Sequence, residues 1–233
     1  MVLPAQGLAL TEVRVVFIDD GGVLNDNEAR APQWRRLLGE YLAPRLGGTR
    51  EAWAAANVGA FERSWARYLA HVESAGDARE LERWIRDDRR TWLIDMCEQV
   101  GVTVPADPST YAIEAGAWVS ERVRADIPGA IDTVRWLHAR GLTLNTASGG
   151  LSWELEPYLR GMGIRELFDN LYGPDLVDRY KNGPHFYEAL LADAGVGAGA
   201  AVVVDDGEKV RAWARAAGLR TFASLAEVRA ALD

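Results

Sequence analysis

The sequence predicts an α/β protein in which a parallel sheet is interrupted, after its first strand, by an all-helical insert. Three observations predict it. Residues 12–19 (EVRVVFID), 142–148 (LTLNTAS) and 201–206 (AVVVDD) are short apolar runs of strand length. Beyond residue 125 such runs alternate with helical stretches, the texture of a parallel sheet covered on both faces. Between about 29 and 122 the apolar spacing is helical throughout, with no strand pattern.

The elements follow in chain order. After the first strand, Trp34, Leu37, Leu38, Tyr41 and Leu42 fall at helical spacing, and Gly47 and Gly48 close that helix. Trp53, Val58, Phe61, Trp65, Leu69 and Val72 form a second stripe. Asp77 with Glu80 resembles a capping box opening a third helix, which carries Leu81, Trp84, Ile85, Trp92, Met96 and Val100 and ends at Gly101. Pro105, Pro108 and Ser109 precede a fourth helix near 110–124. Pro128 then opens a helix that stops at Gly141, ahead of the strand at 142–148. Helices near 152–162, 184–194 and 208–217 are separated by strands around 168–173 and 201–206, and LRTF (219–222) and a final helix complete the pattern. The core therefore comprises about 8–24 and 125–233, and the insert 25–124. Trp34, Trp53, Trp65, Trp84 and Trp92 sit in the insert's first three helices; most are expected in its core, with one or two free to line a site facing the sheet.

A chain of 233 residues with 48% hydrophobic residues can bury a sizeable core. Its net charge of −8 argues against nucleic acid or an anionic membrane as partner. No apolar run approaches the length of a membrane span, and the opening MVLPAQGLALTE lacks the basic start of a secretion signal. The single Cys97 lies in an apolar stripe and reads as a packed thiol in a reducing, cytoplasmic protein. Of 26 basic residues only Lys181 and Lys209 are lysines. A lysine in such an arginine-rich chain stands where a compact ammonium is needed.

Ligands of open parallel sheets sit beyond the carboxyl ends of the strands. Three strand ends here carry polar groups: Asp19 with Asp20, Ser148 with Gly149 and Gly150, and Asp205 with Asp206. One strand ending in Asp is an ordinary turn or cap. Carboxylate pairs brought together from two distant segments repel, unless a hard cation such as Mg²⁺ neutralises them.

With these residues in view, the chain resembles the haloacid dehalogenase (HAD) superfamily, in the branch with a helical cap inserted after the first motif, over nearly its whole length. The first motif (Asp, any residue, Asp, Gly, Thr or Val, Leu) lands on Asp19, Asp20, Gly21, Gly22, Val23 and Leu24. Starting instead at Asp20 fails at Asn25. The second motif matches Ser148, with Thr146 a weaker candidate inside the strand. The third falls on Lys181 in YKNGPHFYEAL, and the fourth on Asp205 and Asp206. The resemblance implies a Rossmann-like core with a cap, and a hydrolase acting on a small phosphorylated metabolite through an aspartyl-phosphate. It implies Asp19 as nucleophile, with Ser148 and Lys181 completing the catalytic set. Gly21, Gly22 and Gly149 would bind the phosphate. Asp19, the Gly21 carbonyl, Asp205 and Asp206 would hold Mg²⁺.

The departure is Gly21. Phosphatases similar to this chain carry there a second Asp that protonates the leaving group, a contribution of roughly 10²–10⁴-fold. Three readings follow: a phosphohydrolase with a surrogate acid (Asp206, Asp26, Glu28 or a cap residue) or an undemanding leaving group; a metal-independent dehalogenase of 2-haloacids; or a protein that binds a phospho-ligand or partner without turnover. The phosphonate-cleaving branch is a poor match, because it needs a cap lysine and the insert has none. Asp206 has a structural alternative as the cap of the 208–217 helix, and His185, near Lys181, is the histidine expected closest to the site.

Overall fold

In the computed structural model residues 12–233 are described; residues 8–11 of the expected core lie outside them. Four parallel strands form one sheet in the order β2-β1-β3-β4, comprising β1 (Val15–Ile18), β2 (Thr143–Thr146), β3 (Ala201–Val204) and β4 (Arg220–Phe222). The strands are short and apolar because both faces are covered. Val16 and Ile18 enter one cluster with Val134, Leu137, Leu155, Leu159 and Val228. Val15 and Phe17 point the other way, toward Tyr172, Phe186, Tyr187 and Leu190. This is the two-residue alternation of a strand feeding two cores at once.

Register decides where the polar residues go. Ile18 pairs with Thr146 on one side and with Val204 on the other. One residue further along, Asp19, Ala147 and Asp205 therefore come level at the carboxyl edge.

Helices α1 (Asn27–Leu46), α2 (Arg50–Ser74), α3 (Leu81–Val100) and α4 (Pro108–Ser120) separate β1 from the rest of the sheet. They pack around a cluster of their own, with Leu38, Leu42, Trp53, Ala60, Leu93, Met96 and Cys97 fully buried. Each buried leucine there stabilises the bundle by roughly 1.5–3 kcal/mol relative to exposure. Cys97 is a core thiol, as expected. Asp26, Thr49 and Asp107 cap α1, α2 and α4 with side-chain oxygens. The capping box expected at α3 does not form: Glu80 makes no side-chain cap, and Asp77 instead accepts from the Arg79 amide and guanidinium. A strong local partner one turn early outcompetes the cap.

The remaining helices are α5 (Ala130–Ala139), α6 (Ser152–Gly161), α7 (Pro174–Val177), α8 (Pro184–Asp193), α9 (Glu208–Ala216) and α10 (Leu225–Leu232). α5, α6 and α10 cover one sheet face, and α8 and α9 the other. The strand expected at 168–173 is only partly realised. Its backbone runs beside β2, with Asp169 donating to the Leu144 carbonyl and Ser148 to that of Tyr172. The Asn145 side chain, however, takes the Asn170 amide and leaves a single bridge. Among the described residues no helix is long and apolar enough to cross a membrane.

Candidate active site

Lys181 finds the row that the register creates. Its ammonium donates to Asp19 Oδ1 at 2.7 Å and to the Ala147 carbonyl at 2.6 Å, and lies 2.7 Å from Asp205 Oδ2. Two of the ammonium's three donors are spent on hydrogen bonds to adjacent strand ends, and Asp205 is held beside them by the ion pair. Burial works against the charge, but the nearby Asp19 carboxylate leads the groups that outweigh it, so the Lys181 pKa stands above the ordinary lysine value. Burial likewise pushes the Asp19 carboxyl up to about 6; Lys181 pulls it down and Asp205 pushes it further up.

Asp205 and Asp206 divide the space beyond β3. Asp205 is buried, and its Oδ1 accepts from the Gly207 amide at 2.9 Å. Arg211 clamps the turn by donating to both the Asp205 and Asp206 carbonyls at 2.7 Å. Asp206 does not cap α9, whose N-cap is Gly207 with no side-chain bond. Its carboxylate leans over Gly22 instead, where a Cβ would overlap it. Carboxylate oxygens of Asp19, Asp205 and Asp206 lie within 4.8 Å of one another. Lys181 occupies one oxygen each of Asp19 and Asp205. The remaining oxygens form a hard donor set with surplus negative charge, which suits Mg²⁺.

Gly22 differs from the expectation. It is not among the residues lining the cleft above Asp19, and its amide donates to the Asn25 carbonyl at 2.8 Å within the turn. Its use is conformational, with φ of 84° and room for Asp206. Gly22→Ala should cost about 1–2 kcal/mol from the left-handed backbone alone, with a further loss from the collision. Urea denaturation should show that adding Asp206→Ala recovers only the collision part.

Ser148 is buried at the end of the β2 segment, its Oγ accepting from the Gly150 amide at 3.0 Å. Thr146 is fully buried and donates to the Tyr172 carbonyl, a structural role. Gly149 takes the Tyr68 hydroxyl on its carbonyl at 3.1 Å. Burial holds that phenol protonated by pushing its pKa up to about 12.

Around Gly21 the structure supplies what the sequence reading missed. Asp20 turns to α1, accepting from Asn25 Nδ2 at 2.5 Å and Arg30 at 2.7 Å. Arg30 also bonds the Asn27 side chain, and a Cβ on Gly21 would lie 3.0 Å from Asn27 Oδ1. Asn27 thus stands where a side chain at position 21 would go. Of the suggested surrogate acids, Asp26 is used as the α1 cap and neither it nor Glu28 lines the cleft. The Asp26 cap fixes where α1 starts, and a start at Asn27 was the one available hint.

Together Asp19, Gly21, Ser148, Gly149, Lys181, Asp205 and Asp206 border a cleft of about 780 Å³. Its opposite wall comes from α2 and α3, including Phe61, Trp65, Tyr68 and Trp84. Trp65 and Trp84 therefore reach the site while Trp53 and Trp92 stay in the bundle core. Arg89 to Glu154 at 2.6 Å ties the bundle to α6. His71 and His185 both reach the Lys181 loop, His71 with Nε2 2.9 Å from the Tyr180 hydroxyl and His185 with its ring against Gly183, but neither lines the cleft.

The profile of the haloacid dehalogenase-like hydrolase family matches residues 13–218. No curated protein matches the chain by sequence. Several solved structures share the fold. The defluorinating L-2-haloacid dehalogenase Rha0230 has a TM-score of 0.62 at 20% identity, covering 90% of this chain and 80% of that one. YfnB from Bacillus subtilis, assigned as a HAD-hydrolase and bound to magnesium, also scores 0.62, at 16% identity over 95% and 99%. A protein from Thermotoga maritima assigned as a beta-phosphoglucomutase scores 0.55 at 19% identity over 90% and 84%. At these identities the likeness is one of fold, but the profile spans most of the chain and agrees with it: this protein belongs to the haloacid dehalogenase-like hydrolase family.

Proposed function

We propose that this hydrolase cleaves a small phosphate monoester with Mg²⁺, through an aspartyl-phosphate on Asp19. The observation that carries the reading is the acidic set of Asp19, Asp205 and Asp206. Three carboxylates against one ammonium leave a charge surplus that displacement of halide has no use for. Division into a core (8–24 and 125–233) and a cap (25–124) belongs to the same proposal, as does a cytoplasmic setting. It is supported by the bundle's separate apolar cluster.

In this reading one Asp19 oxygen forms a bond to phosphorus as the ester P–O bond breaks, leaving the electron pair on the departing oxygen. Lys181 holds the other Asp19 oxygen and keeps the nucleophile aimed. Ser148 and the amides of Gly21 and Gly149 donate to the phosphoryl oxygens. Water then attacks phosphorus, restoring the Asp19 carboxylate and releasing inorganic phosphate. Asp19, Asp205, Asp206 and the Gly21 carbonyl would hold Mg²⁺, which supplies charge neutralisation between nucleophile and phosphate. Beside Gly21, Arg30 and Asn27 offer hydrogen bonds to the leaving oxygen without delivering a proton.

A second reading, metal-independent hydrolysis of a 2-haloacid, is favoured by Gly21 itself, since a departing halide needs no acid. One experiment separates the two. Phosphate release from a panel of monoesters should stop with EDTA and return with Mg²⁺. Halide release from 2-haloacids that persists in EDTA, without phosphate release, overturns the proposal.

A further inference from the structure

The wall facing Asp19 is unusual for a cleft that accepts a small polar metabolite. On α2, Phe61 is 60% exposed, Trp65 52% and Leu69 47%, and all three line the cleft. Large apolar groups left open on one helix face require an explanation, and here they share one cavity with the nucleophile. Trp65 stacks on Tyr68 at 5.5 Å and 24°, Tyr68 lies 6.1 Å from Trp84, and Trp84 stacks on His71 at 4.5 Å and 12°. Rings already held by other rings lose little freedom when a ligand arrives, so the wall is preorganised.

The charges in the cleft restrict the ligand further. Its lining cations are Arg30, Arg89 and Lys181, and each is ion-paired: with Asp20, with Glu154 and Asp88, and with Asp19 and Asp205. A second anionic group on the substrate would find no free cation among these residues. The lining carboxylates of Asp20, Asp88 and Glu154 are held by those same arginines, and Asp206 lies on the Gly22 side with the other acids. The lining carboxylates are thus either paired with arginine or gathered in the acidic set, which favours a leaving oxygen that carries its own negative charge well.

We propose that the substrate's leaving group is an uncharged aromatic alcohol, a phenol or larger fused ring, whose ring lies against Trp65 and Phe61 while its phosphate sits on Asp19. This rests on the phosphomonoester reading above and names its substrate class. Two features of one cleft converge on it: an aromatic wall, and lining carboxylates already committed to arginine or to the acidic set. In the chemical step the P–O bond to the ring oxygen breaks, the aryloxide keeps the electron pair and takes its proton from solvent.

The test compares 2-naphthyl phosphate, phenyl phosphate and glycerol phosphate with the wild-type protein and with Trp65→Ala and Trp65→Phe, in Mg²⁺. The expected result is a kcat/KM that rises from glycerol to phenyl to naphthyl phosphate. Trp65→Ala should lower the naphthyl value roughly tenfold through KM, with Trp65→Phe retaining most of it and inhibition by inorganic phosphate unchanged. Trp65 is half exposed, so these variants should fold. Turnover of all three esters with no ring preference, or naphthyl turnover indifferent to Trp65, overturns the aromatic assignment and leaves the phosphatase reading standing. Absence of turnover with every monoester overturns the phosphatase reading itself. A stable dimer that Trp65→Glu dissociates, with naphthyl kcat/KM unchanged, also overturns the assignment, because a second copy is then what covers this face.

Discussion

Lys181→Met should destabilise the fold by about 3–5 kcal/mol, the cost of removing one partner from a buried ion pair. The side chains of Lys181, Asp19 and Asp205 keep only 8%, 14% and 3% of their exposure, so solvent cannot compensate. Without the ammonium, two carboxylates from adjacent strands face each other and the Ala147 carbonyl loses its donor. Chemical denaturation of the metal-free protein measures this directly. Adding Asp205→Asn to Lys181→Met should recover part of the loss, because it removes the repulsion. A single variant within about 1 kcal/mol of wild type would contradict the picture of one cation holding three strand ends. Lys181→Arg should also be damaged, since a planar guanidinium cannot converge on three acceptors at one point. In a chain so rich in arginine, that geometry is the physical reason for a lysine here.

On the proposed phosphomonoester reading, Asp19→Asn should reduce phosphate release by at least about 10³-fold, as loss of a covalent nucleophile does, while leaving the protein folded. The amide has the carboxylate's shape, and Lys181 keeps both Asp205 and the Ala147 carbonyl. Burial raises the Asp19 pKa to about 6, so between the unfolded carboxylate value and that one the folded state takes up the extra proton. The charged form therefore weakens folding as pH rises through about 6, and the neutral amide escapes that penalty. Turnover and a thermal melt, run together at neutral pH, check both halves. Retention of more than about 1% of wild-type turnover would place the nucleophile elsewhere.

The core was legible in the sequence because its signals are local. Three apolar runs end in polar residues, and a parallel register then brings Asp19 beside Asp205 without further information. Lys181 was legible through its rarity. What was hidden depends on contacts between distant segments. Trp53 and Trp65 occupy the same kind of helical position, yet one is fully buried and the other half exposed. Only the packing of α2 on α1 and α3 separates them. Gly22 reads as a ligand-binding glycine until the turn engages its amide and Asp206 comes to rest against it. Asn27 and Arg30 lie in an ordinary polar helix start, and nothing in their spacing says that they fill the room beside Gly21. The strand at 168–173 is only partly realised for a side-chain reason, the Asn145 side chain taking the Asn170 amide.

The Asn27 side chain beside Gly21 decides what an acid placed at position 21 could do. An aspartate introduced at position 21 would meet Asn27 Oδ1 at its first carbon, within reach of the guanidinium that already grips Asn27. A carboxylate held by Arg30 stays ionised and has no proton to lend. An acid at this position therefore becomes a proton donor only when Arg30 or Asn27 changes with it. Positions 21, 27 and 30 are thus coupled, and substitutions there act together rather than additively.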